Sequence, residues 1–103
     1  MTEKVYMLVN INIENKETYL NYEKGFFPIL KKHGGEFITF DDKIEHLEGE
    51  NPMVGRTILW TFPSEENAKA WYNDPEYQEL SKFRREGAPL RSLSLVKGLP
   101  PRK

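Results

Sequence analysis

The chain has 103 residues and a mass of 12.1 kDa, with 38% hydrophobic, 13% aromatic and 30% charged residues, a size that suits one domain and excludes two. Fifteen Lys and Arg against sixteen Asp and Glu leave a formal charge of -1, so no positive excess is available for phosphate backbones or anionic lipid, and neither nucleic acid nor a membrane is an expected partner. Zero cysteines exclude a disulfide scaffold, a thiolate metal site and a cysteine nucleophile.

Val5, Met7, Val9, Ile11 and Ile13 alternate with Tyr6, Leu8, Asn10 and Asn12, the period of two that marks a strand over Val5–Ile13. Tyr6 and Leu8 make part of the second face apolar as well, so that face is not expected to stay in water. Tyr19, Tyr22, Phe26 and Leu30 then lie on one helical stripe, with Leu20 and Phe27 beside it. Pro28 removes a backbone donor inside this helix and predicts a kink near Gly25 or a restart there. Gly34-Gly35 after His33 supplies the left-handed residue that ends it.

Glu36–Phe40 reads as a second strand. After Asp41-Asp42, alternation over Ile44–Glu48 suggests a bulge or short hairpin. Met53–Phe62 reads as the third strand, with Val54, Ile58, Trp60 and Phe62 on one face and Met53, Thr57, Leu59 and Thr61 on the other. Ser64 caps a short helix begun by Glu65 and Glu66, and Asp74 followed by Pro75 opens another segment to about Gly87. Leu90–Val96 is the last strand. The domain therefore occupies 1–98, with an extended tail over 99–103. The N-terminus lacks a long apolar region and no stretch reaches the ~20 apolar residues of a membrane span, so a soluble, unprocessed, cytoplasmic protein is expected.

Strand, helix, strand, strand, helix, strand is the ferredoxin-like βαββαβ order: an α+β fold with a four-stranded antiparallel sheet and its helices on one face. The opposite face, apolar in its first and third strands, needs a cover. A second copy of the chain, joined sheet to sheet in a homodimer, meets that need.

Several segments resemble one family, domain of unknown function 1330, within the dimeric α/β-barrel superfamily. They are Tyr19-Leu20-Asn21-Tyr22, Pro28 with His33-Gly34-Gly35, Glu48-Gly49, Phe62-Pro63-Ser64, Ala68-Lys69-Ala70-Trp71-Tyr72, Asp74-Pro75-Glu76-Tyr77-Gln78, Arg84 or Arg85, and Val96-Lys97-Gly98. Together they span nearly the whole chain, and the Trp71-Tyr72 to Pro75-Glu76-Tyr77 block is the specific part. The resemblance implies the ferredoxin-like fold and the dimer. It implies little chemistry, although monooxygenase or isomerase relatives in the superfamily suggest cofactor-independent enzymes by analogy.

Candidate site residues carry alternative readings. His33, where the helix ends, is a candidate catalytic acid or base promoted by its place in the family motif, or a histidine bonding free carbonyls. His46 falls in the Ile44–Glu48 alternation, but no third ligand has metal-site spacing, so no metal is expected. Arg56, on an apolar strand face, either binds an acidic ligand or pairs with a carboxylate. Tyr22, Trp71 and Tyr77 with Arg84 could wall a substrate pocket between helices and sheet, or fill a core. No phosphate loop, nucleophile elbow or metalloprotease motif is present. The expectation is a dimeric small-molecule-binding protein, of which a cofactor-independent enzyme on a small polar or acidic substrate is one version. The alternative is a non-catalytic dimeric structural or binding module.

Overall fold

In a computed structural model that describes residues 4–99, the chain runs β1 (Val5–Ile11), α1 (Lys16–Lys32), β2 (Glu36–Asp41), β3 (Arg56–Phe62), α2 (Glu65–Asn73), α3 (Pro75–Gly87) and β4 (Leu90–Lys97). This is the ferredoxin-like order, with the second helix in two pieces. The strands form one antiparallel sheet in the order β2-β3-β1-β4. Of the tail read at 99–103, Leu99 is exposed and the remainder lies outside the described residues. Among the described residues no helix is long and apolar enough to cross a membrane.

Strand alternation places the core. Val5, Met7 and Val9 stand opposite Phe62, Trp60 and Ile58, and all six are buried under the helices. Tyr19, Tyr22, Phe26, Ile29 and Leu30 are the buried stripe of α1, and Ala68 and Trp71 that of α2. Helix ends form where short polar side chains meet free backbone donors: Asn15, Ser64 and Asp74 accept from the N–H groups of Thr18, Asn67 and Glu76. At the other end of α1, Gly34 takes a φ of 76° while its N–H and that of Gly35 bond Lys31 and Leu30 carbonyls.

Three expectations are corrected, and of the two alternatives at Pro28 the restart at Gly25 is not taken: α1 is continuous through Pro28, because Phe26 before it and Ile29 and Leu30 after it are buried together, and that packing outweighs one lost hydrogen bond. The first strand stops at Ile11, where pairing with β4 shifts register and Asn12 turns its N–H to the Pro89 carbonyl. No strand forms over Ile44–Glu48; the segment is loop, and His46 bonds the Gly49 carbonyl at 2.6 Å within it. The third strand begins at Arg56, since Gly55 has a φ of 81° and lies so close to the Ile11 carbonyl that a side chain would collide with it.

On the face away from the helices, Tyr6 and Leu8 are half-buried, Leu8 lies opposite Leu59, and Tyr6 pairs with a half-exposed Val96. Asn10 closes one end of that face by donating to the carbonyls of Val54 and Arg56 at 2.9 and 3.2 Å.

Candidate functional site

A cavity of about 110 Å³ lies between α1, α3 and the sheet. Helical spacing aims Tyr19, Tyr22, Glu23, Phe26 and Phe27 of α1 toward it, while Tyr77 and Arg84, two turns apart on α3, form the far wall. Val9, Ile11, Ile58, Trp60 and Leu93 make the floor from alternate positions of β1, β3 and β4, and Phe37 and Phe40 come from β2. Half-exposed Phe27 and Phe40, with Glu23 and Arg56, mark the mouth.

Inside, the hydroxyls of Tyr22 and Tyr77 meet at 3.0 Å with their rings nearly perpendicular. Burial pushes the Tyr22 hydroxyl well above its ordinary pKa, with the neighbouring Tyr77 adding to the effect, and burial raises Tyr19 to about 12 against the opposing pull of Arg56. Both phenols are therefore protonated at neutral pH. Arg84 is 4% exposed, its Cζ lies 5.9 Å from the centre of the Tyr22 ring, and among the described residues it makes no ion pair and its Nε has no partner.

Arg56 is held very differently. Its Nε and Nη2 donate to the two oxygens of Asp42 at 2.6 and 3.0 Å, and Nη1 donates to Glu23 at 3.0 Å. The guanidinium also lies 4.3 Å from the Phe40 ring centre. The hydrogen bond to Asp42 raises the Arg56 pKa, and the same bond lowers that of Asp42. Of its two sequence readings, this is the carboxylate pair.

The structure thus gathers Tyr22, Tyr77, Arg84 and Arg56 around one cavity and leaves His33 and Trp71 off its wall. The His33 Nε2 lies 2.7 Å from Asp74 Oδ2, and its carbonyl accepts from Asn67 Nδ2 at 3.0 Å, so it ties the end of α1 to α2 and α3. Trp71 is fully buried behind the wall with its ring centre 4.0 Å from that of Tyr77. Among the described residues no three His, Asp or Glu gather as a metal site. Sequence reasoning missed Trp60 as cavity floor and Glu23 as the second partner of Arg56. The stripe Tyr19, Tyr22, Glu23, Phe26 carried the signal for Glu23, as an acid on a buried helix face.

Strand order and helix placement define a protein of the ferredoxin-like α+β class. Solved structures share that fold: a protein of unknown function from Rhodopseudomonas palustris has 18% identity and a TM-score of 0.75, covering 98% of this chain and 86% of its own. SnoaB, a cofactor-independent oxygenase from Streptomyces nogalater, has 7% identity and a TM-score of 0.67, covering 97% of each chain. A dimeric ferredoxin-like protein of unknown function from Thermobifida fusca has 8% identity and a TM-score of 0.60, covering 95% of this chain and 92% of its own. Among curated protein sequences none matches this chain significantly. Residues 4–99 match the family described as domain of unknown function (DUF1330), and the chain belongs to that family.

Proposed function

We propose that this protein binds a small polar or acidic organic molecule in the cavity beneath α1, and that it works as a homodimer joined through the open sheet face. Tyr22, Tyr77 and Arg84 hold the ligand, and Arg56 stands at its entrance. The observation that carries the reading is the combination of aromatic walls with a buried guanidinium that no carboxylate neutralises among the described residues. The likeness to a cofactor-independent oxygenase supports turnover of that ligand without a cofactor, as an analogy of fold. Partly exposed Tyr6, Leu8 and Val96, together with the dimeric neighbour, support the sheet-to-sheet pairing.

Thermal-shift screening against a metabolite library tests the cavity. A ligand present at a hundred times its dissociation constant adds ~2.7 kcal/mol of stability. A library without a hit favours the second reading, a non-catalytic dimeric module, which the engagement of His33 by Asp74 already favours.

A further inference from the structure

Side chains that line the cavity carry more donors than acceptors. Arg84, 4% exposed, lines it with no ion pair among the described residues, and its Nε, like Trp60 Nε1, is buried beneath the wall without a partner. The Tyr22–Tyr77 contact uses one hydroxyl proton and leaves the other without an acceptor among the described residues. The single acid of the wall, Glu23, is engaged with Arg56, which Asp42 also grips. A buried cation lacking a counter-charge is costly to fold around, so the missing partner is a group that only accepts hydrogen bonds and carries negative charge.

From this we infer that the ligand is a planar monocarboxylate of about one ring in size, seated with its carboxylate on the guanidinium of Arg84; the inference rests on the cavity being the ligand site. A carboxylate presents two coplanar acceptors to the fork of an arginine, and the free tyrosine hydroxyl proton supplies a further donor. The flat rings of Tyr22, Phe26, Trp60 and Tyr77 favour a flat apolar body, which an inorganic anion lacks. The volume, about 110 Å³, is of the order that admits a single ring, an engineered apolar cavity of ~150 Å³ being known to take up benzene.

The test titrates benzoate, its neutral analogue benzamide and inorganic sulfate into the full chain at pH 7, followed by shifts of the tryptophan and tyrosine signals in NMR spectra. Benzoate is expected to bind at least tenfold more tightly than benzamide or sulfate. Arg84→Met should abolish that preference and Arg84→Lys restore part of it. Equal binding of benzoate and benzamide by the unaltered protein overturns the carboxylate assignment and leaves the cavity reading standing, as does an unchanged preference in Arg84→Met. Sulfate binding as tightly as benzoate overturns the ring requirement. No perturbation of cavity signals by any of the three overturns the assignment together with the cavity reading. Should Arg84→Met fail to fold, the benzoate to benzamide ratio of the unaltered protein decides alone.

Discussion

The Nε2 of His33 lies 2.7 Å from the Oδ2 of Asp74, a residue 41 positions later in the chain. That carboxylate also accepts from the Glu76 N–H at the start of α3 and lies 3.0 Å from the Lys32 ammonium. One side chain therefore caps α3 and pins the end of α1. Asp74→Ala removes both functions, and the melting midpoint should fall by roughly 4–8 °C, the size of shift expected for loss of a helix cap in a domain of this length. An unchanged midpoint would show that the cap contributes nothing.

The same carboxylate predicts acid sensitivity. Its pKa is held well below the usual range, first by His33, then by Lys32 and the Glu76 N–H. A carboxyl group depressed in the folded state stabilises it fully above its unfolded pKa of about 3.9, and that stabilisation disappears as pH falls through the folded value. The gap in urea midpoint between the natural chain and Asp74→Asn should thus narrow as pH falls below about 4. A gap that widens below about pH 4 would contradict the depressed pKa.

Tyr22→Phe deletes half of the buried hydroxyl pair. A cost of about 1 kcal/mol in denaturant unfolding is expected, because the Tyr77 hydroxyl loses its partner. Adding Tyr77→Phe should cost less than its single effect, since no stranded hydroxyl is then left; strict additivity of the two would mean that they do not interact.

For the open sheet face, light scattering at micromolar concentration should give about twice the monomer mass of 12.1 kDa. Leu8→Asp, which puts a charge in the middle of that face opposite Leu59, should return the monomer mass with the circular dichroism spectrum unchanged. A natural chain that is monomeric under these conditions defeats the dimer.

Gly55→Ala should cost about 1–2 kcal/mol or more, from the positive φ of 81° and the collision with the Ile11 carbonyl. Urea titration reads this directly, and an unaffected midpoint would show that the turn before β3 rearranges freely.

What was legible in the sequence is what local chemistry decides. Ser64, Asp74 and Gly34 show themselves because a cap or a left-handed turn is made within a few residues of its own position. Arg56 could be placed on the cavity side because it alternates in phase with Ile58 and Trp60. Its partners Asp42 and Glu23, 14 and 33 positions away, could not, since the pairing of β2 with β3 brings the first and the packing of α1 over the sheet brings the second to the same guanidinium. The alternation around His46 misled for a related reason: a period of two makes a strand only where another strand offers its free edge, and the Ile44–Glu48 segment has no such neighbour.

The central place of β1 has a consequence for how the molecule assembles. Val5 pairs with Lys97, 92 positions later (97 − 5), so the earliest strand of the sheet keeps one edge open until almost the whole domain has been synthesised. Folding on the ribosome cannot finish as an N-terminal subdomain, and the pairing joins parts of the chain that are far apart in sequence. Refolding slower than that of a helical bundle and faster than that of an all-β barrel is what such a mixed topology sets.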